Sequence, residues 1–271
     1  MTQTPMINGS TRLYGIVGHP IAQVRSPEVM TAWLQKAAHN AILVPLHVLP
    51  EQFDDTLRGI MNLQNLDGLI FTVPYKARAM ALAHTLRPNA QRVGAINALR
   101  RNTDGTWSGD IFDGIGLVRA LAEQGVTIKD SRVKMIGAGG AGSAVAVALA
   151  DAGAASIAIF DIDADRAAHL AERVTRHFPD CKAEPTQNAA ETHSYTLLIN
   201  CSPVGMNAGE GLPAAFGRFD PSLMVVDVIM KPAVTPLAEH ARACGCQVMN
   251  GIPMLDNQGQ AVMEFFTGVN Q

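Results

Sequence analysis

The chain has 271 residues, 48% of them hydrophobic and 17% charged, with a formal net charge of −3 at pH 7. That length gives one large domain or two small ones with an ample core, and the composition excludes a disordered, tail-like protein. No long basic or acidic block is present and the apolar stretches are broken by Gly, Asp or Pro, which argues against a nucleic-acid partner and against a membrane span.

In chain order, Leu13 to Val17 reads as a strand running into a loop over Gly18 to Pro27. Ser26-Pro27-Glu28 has the pattern of an N-cap followed by proline at the first helical position, with a helix to about Ala38. A strand is expected over Ile42 to Val48, a helix over Glu51 to Leu63, and a third strand over Gly68 to Val73, stopped by Pro74. Lys76 to His84 is helical in pattern. Gly94 to Leu99 and Gly105 to Gly109 suggest strand, turn and strand, and Asp113 to Gln124 a helix bridging to a second domain.

The second half alternates strand and helix: strands over 133–136, 156–160, 196–200, 223–228 and 247–249, helices over 143–152, 164–177 and 236–243, and a final helix from Met254 to Gly268. Such alternation implies right-handed crossovers and a parallel sheet. The expected class is α/β, with a Rossmann-like doubly wound domain over 113–249 and a second α/β domain built from 1–112 and 250–271.

The strongest motif is Val133-Lys-Met-Ile-Gly-Ala-Gly-Gly-Ala-Gly-Ser-Ala144, an apolar run flowing into Gly137, Gly139 and Gly142. Gly137 permits a tight strand-to-helix turn. Gly139 lets backbone amides approach a pyrophosphate, and Gly142 lets the helix pack close to the strand. Ala138, Gly140 and Ala141 complete the phosphate-binding loop. Asp161 ends the next strand, where an acid binds ribose hydroxyls and repels a 2′-phosphate. Asp163 and Asp165 add negative charge and suit the first turn of a helix. Arg166 is the lone base nearby. The expected cofactor is NAD, with NADP less favoured.

The four cysteines (Cys181, Cys201, Cys244, Cys246) lack zinc spacing and read as reduced thiols; the histidines are scattered, and no metal is indicated. The first residues lack a basic n-region and an apolar h-region, so the protein reads as cytosolic. Ser26, Lys76 and Asn97 sit just past predicted strand ends and Asp113 opens the bridging helix. A lysine and an aspartate facing one another across a cleft form a proton relay, whereas a lysine on its own is more often a solvated surface charge.

Seven ordered segments resemble the shikimate dehydrogenase family over nearly the whole chain. They are Gly18-His-Pro-Ile-Ala-Gln-Val-Arg-Ser-Pro27, Ile70-Phe-Thr-Val-Pro-Tyr-Lys76, Gly94-Ala-Ile-Asn-Ala98, Gly109-Asp-Ile-Phe-Asp-Gly114, Ile199-Asn-Cys-Ser-Pro-Val-Gly-Met206, Asp227 through Thr235-Pro236, and Asn250-Gly-Ile-Pro-Met-Leu255 to Gln258. The resemblance implies a substrate domain closed by the C-terminal helix, and hydride transfer between a substrate ring carbon and a nicotinamide. It implies that Lys76 handles the hydroxyl proton while Asp113 holds the lysine and the substrate oxygen. Asn97 and Gln258 match residues that bond ring hydroxyls, Ser26 one that binds the carboxylate, and Thr72 a pocket-lining position. Cys201, Ser202, Gly251 and Met254 fall where the family touches its cofactor. The implied partner is a small molecule, and the protein a monomer or homodimer.

Three departures bear on the substrate. The family's first loop serine is Val24, the Asn-Thr of its Asn-Thr-Asp motif is Ile111-Phe112, and a tyrosine that reaches the carboxylate is Met230. Each lost hydrogen bond to a charged group removes ~1.5–3 kcal/mol of binding. A substrate other than shikimate is therefore expected, unless Arg25 or a backbone amide replaces the missing contacts. Asp256 and Asn257 read as solvent-facing helix residues.

Overall fold

The computed structural model describes residues 7–22 and 24–268. Parallel strands covered on both faces read as near-continuous apolar runs. Strands β1 (Arg12–Gly18) and β3 (Leu66–Phe71) are of this kind, while β2 (Ala41–His47) is an edge strand exposed toward its end; β2 and β3 flank β1 in parallel. Helices α1 (Ser26–Lys36) and α2 (Phe53–Ile60) lie on the crossover connections that parallel pairing demands. Strand β4 (Thr85–Leu86) and helix α3 (Pro88–Val93) precede the antiparallel pair β5 (Ala98–Arg101) and β6 (Trp107–Asp110), giving the order β2-β1-β3-β5-β6-β4. Phe53, Leu57, Leu69, Phe71, Tyr75 and Trp107 fill a core on this sheet.

The helix expected over Lys76 to His84 shrinks to a 3₁₀ turn at Arg78–Leu82. The chain that follows is drawn into the sheet instead: His84 donates its amide to Trp107 (2.8 Å) and Arg87 to Gly109 (2.9 Å). Pro88 also biases Arg87 toward the extended backbone, and Arg87 adopts it. Ser26 is the first residue of α1 rather than its cap, and no side chain caps that helix.

The second sheet is wholly parallel. Its elements are α4 (Asp113–Glu123), β7 (Arg132–Ile136), α5 (Gly140–Asp151), β8 (Ser156–Phe160), α6 (Ala164–His177), β9 (Lys182–Pro185), β10 (Leu197–Asn200), β11 (Met224–Asp227), α7 (Pro236–Ala243), β12 (Val248–Met249) and α8 (Gly251–Thr267). The order β12-β11-β10-β7-β8-β9 is doubly wound, with the direction of winding reversing between β7 and β10. Strand β9 has no counterpart in the sequence-based expectation. It is a polar edge strand, mostly exposed, and so lacks the apolar run that marks a central strand.

Two compact units result, one from Met1–Phe112 with Gly259–Gln271, the other from Asp113–Gln258. The expected boundary at 249/250 thus moves into α8. The N-terminal half of that helix lies so close to α4 that a Cβ on Gly116 would meet the Met254 carbonyl oxygen at 2.5 Å and the Gln258 amide at 2.8 Å. Its C-terminal half belongs to the other unit, where Phe266 stacks on Tyr14 (4.9 Å between centroids). Among the described residues, no helix is long and apolar enough to cross a membrane.

Candidate functional site

Two sets of polar groups stand at strand ends, one in each unit. In the doubly wound unit, Gly137 follows β7 with φ +99°, and a Cβ there would lie 2.8 Å from the Ser202 nitrogen after β10. A Cβ on Gly142 would lie 2.0 Å from the Gly137 carbonyl oxygen, so only glycine lets α5 begin against this turn. Gly139 is different: nothing stands within 4 Å of its missing side chain. The space beside Gly139 is therefore open at the N-terminus of α5, and a helix N-terminus of this kind is a setting suited to a pyrophosphate.

Asp161, just past β8, closes this loop. Its Oδ2 accepts the Ala138 amide at 2.7 Å and its Oδ1 the Asp163 amide at 2.9 Å. Asp163 caps α6 by accepting the amides of Asp165 (3.2 Å) and Arg166 (3.3 Å), and Arg166 turns back to pair with Asp163 at 3.1 Å. Donors for phosphate and an anchored acid for ribose are both present, so the chain fits a dinucleotide.

Beside the loop, the ends of β10 and β11 carry a buried network. Asn200 donates to Asp227 (3.1 Å), Thr235 donates to the other oxygen of Asp227 (2.6 Å), and Ser202 donates its hydroxyl to Asn200 (2.6 Å). Burial pushes the Asp227 carboxyl above the usual range, against the pull of these bonds. The Cys201 thiol is likewise pushed up, chiefly by burial. Gly251 starts α8 where a Cβ would strike the Val228 carbonyl at 2.1 Å, and Met254 is buried one turn on. Met230 is 43% exposed.

In the other unit, the sheet order places polar residues in a row along one edge. His47 ends β2; His19 follows β1; Thr72 follows β3; Asn97 precedes β5, which runs the opposite way and so begins at this same edge. Thr72 donates its amide to Val17 (3.0 Å). Asn97 is fully buried, accepts the Phe71 amide at its carbonyl (2.8 Å) and the Phe112 amide at Oδ1 (3.0 Å), and donates its own amide to Asp110 (3.0 Å). Lys76 is half-buried, and its carbonyl accepts the Ile96 amide at 2.9 Å, one residue before Asn97. The segment from Phe71 to Lys76 is thus tied to Ile96 and Asn97 by backbone bonds at both of its ends. Asp113 and Gln258 belong to the other unit: Asp113 opens α4 and is buried, and Gln258 is half-buried on α8.

The apolar replacements divide. Val24 is half-buried in the loop before α1. Ile111 and Phe112 are turned into the core, Phe112 packing on Phe265 at 5.3 Å. Arg25 pairs with Glu28 at 3.0 Å. Asp256 is exposed as expected; Asn257 is not, being buried and donating to Glu123 at 2.9 Å. The sequence-based expectation also left out the His19–His47 pair, which needs the adjacency of β1 and β2, and buried Asp110, whose carboxyl burial pushes up while its Oδ1 accepts the Ile111 amide.

Residues 16–99 match the family model described as the shikimate dehydrogenase substrate binding domain. Shikimate dehydrogenase (NADP(+)) of Anaeromyxobacter dehalogenans is 38% identical, with 97% of this chain and 93% of that protein covered. The chain belongs to the shikimate dehydrogenase family. Among solved structures, the shikimate 5-dehydrogenase of Listeria monocytogenes in complex with shikimate and NAD is 31% identical at a TM-score of 0.91, covering 98% of this chain and 94% of that one. The ligand-free 5-ketofructose reductase of Gluconobacter sp. strain CHM43 is 27% identical at a TM-score of 0.87, covering 95% and 93%. The chain is an NAD(P)-dependent oxidoreductase of the shikimate dehydrogenase type.

Proposed function

We propose that the protein is an NAD-linked dehydrogenase of a polyhydroxylated substrate, acting reversibly on one hydroxyl through Lys76 and Asp113. The anchored Asp161 carries the cofactor assignment: its charge sits on the phosphate loop, and the nearest base, Arg166, is already paired with Asp163. Relatives named for NADP leave room for either dinucleotide, while the Listeria relative was solved with NAD.

Nicotinamide supplies the hydride chemistry. The chain's own part is to hold the substrate and move a proton. Lys76 takes the proton from the hydroxyl as it becomes a carbonyl, or returns it in reduction, and Asp113 holds the ammonium form. Thr72 and Asn97 orient the substrate along the edge of the first sheet, with Ser26 and Gln258 as further hydrogen-bonding groups.

A second reading concerns the acid group. Val24 and Met230 offer no hydrogen bond to a carboxylate, Phe112 is committed to the core, and Arg25 to Glu28. A carboxylate-free polyol or ketose fits these residues, as the likeness to a 5-ketofructose reductase also suggests. Initial rates with shikimate, quinate, an aminoshikimate and 5-ketofructose, each with both dinucleotides, test the two readings together. NAD-linked turnover of shikimate or quinate favours a ring acid; turnover of the ketose alone favours the second reading. Activity with none of the four overturns both.

A further inference from the structure

Two imidazoles meet at the carboxyl edge of the first sheet. The register sets Gly18 of β1 opposite His47 of β2, and His19 follows directly. Nδ1 of His19 lies 2.9 Å from Nε2 of His47, the ring centroids are 5.1 Å apart, and the rings are within 19° of parallel. His19 is half-buried and His47 exposed, so the pair is no part of the core.

At that distance one nitrogen carries the hydrogen and the other offers its lone pair, so neutral rings have linked tautomers. When His47 donates, His19 carries its own hydrogen on Nε2, which is then a donor. When His19 donates from Nδ1, its Nε2 is bare and becomes an acceptor. A single atom thus presents either polarity, and this matches a hydroxyl group, which both donates and accepts.

The backbone beneath His19 is fixed. Its amide donates to the Val73 carbonyl at 3.0 Å, tying it to the segment that runs on to Lys76. Gly18 lies hard against Thr72, where a Cβ would come 2.5 Å from Cγ2. His47, His19, Thr72 and Asn97 therefore occupy neighbouring strand ends, at the edge where parallel α/β sheets bind ligands.

We propose that His19 binds a non-reacting hydroxyl of the substrate through Nε2, and that His47 is the positioning residue that sets its ring and tautomer. This rests on the reading that the polyol lies along this edge. The test is steady-state kinetics of the full chain with shikimate, quinate, an aminoshikimate and 5-ketofructose, using whichever turns over, on His19→Phe, His19→Asn, His47→Phe and His47→Gln.

His19→Phe is expected to raise the substrate KM about tenfold or more, with kcat within about threefold and the KM for dinucleotide unchanged, as loss of a ground-state binding contact requires. His47→Phe is expected to raise KM less, and His47→Gln, which still donates or accepts, to restore it to within about twofold. A substrate KM unchanged in both His19 variants overturns the assignment, as does a dinucleotide KM rising in step, which signals general damage. Should His19→Phe not fold, His19→Asn carries the same comparison. No turnover of any of the four compounds by the unaltered protein overturns the parent reading and this one with it; turnover with unmoved KM values overturns this one alone.

Discussion

Asp161 and Ala138 are bound to one another across the phosphate loop: the carboxylate accepts the loop's amide at 2.7 Å, while its second oxygen holds Asp163. Both oxygens are used by backbone, which fixes the acid's position, yet each keeps a lone pair for a ribose hydroxyl. A 2′-phosphate there would meet a fixed negative charge. We expect NAD to exceed NADP by about tenfold or more in kcat/KM, a difference of ~1.4 kcal/mol or more, and Asp161→Ser to narrow that ratio by lowering the NAD term. Initial rates at matched dinucleotide concentrations check this; a ratio unchanged in the variant removes Asp161 from cofactor choice.

For the proton relay, Lys76→Ala and Asp113→Asn are each expected to lower kcat by ~10²–10⁴, the usual span for a positioned acid–base group. NADH affinity, followed by its fluorescence, should stay level, since neither residue belongs to the phosphate loop. Full turnover in Lys76→Ala would disqualify the lysine.

Helices α4 and α5 touch through glycine. A Cβ on Gly114 would come 2.1 Å from the Ala144 carbonyl oxygen and 2.6 Å from the Ala148 side chain, neither of which is a flexible tip. Gly114→Ala should therefore destabilise by ~1–3 kcal/mol, the range for overpacking. Gly59→Ala is the control: nothing stands within 4 Å of Gly59 in α2, and the gain in helix propensity should leave the melting temperature equal or higher. Thermal melts check this: the Gly114→Ala midpoint should fall while that of Gly59→Ala does not.

Alkaline pH should loosen the fold through its buried acids. Burial pushes the Cys181 thiol from 9.0 to about 11 and the Tyr14 hydroxyl from 10.0 to about 12. In each case the folded state holds the proton more tightly than the unfolded chain does. The associated stability is complete below the unfolded pKa and is lost as pH rises through the folded one. For Cys181 that window runs from about pH 9 to 11 and involves ~2 kcal/mol. Urea midpoints should fall across it, and Cys181→Ala should flatten the fall in part, with Cys201 and Tyr14 sustaining the rest. An unchanged slope in the variant would remove Cys181 from the effect.

Much of the nucleotide unit is legible in one dimension. The Gly137–Gly142 loop, the strand before it and Asp161 beyond it all lie within a short stretch whose glycines have local geometric duties. The central strands of that unit, β7, β8, β10 and β11, are buried and so announce themselves as apolar runs. Polar β9 has no such run, and the segment after Lys76 has a helical pattern that loses to hydrogen bonds with β6, residues away in the chain.

The class of fold, the dinucleotide loop and the candidates Lys76, Asn97 and Asp113 could be read along the chain, because periodicity and motif spacing are properties of neighbours in sequence. Folding alone sets His19 beside His47, turns Phe112 inward onto Phe265, buries Asn257 on Glu123 and runs the unit boundary through α8. Each of these depends on strand order, register or helix packing, which bring together side chains whose separation in sequence carries no record of their contact.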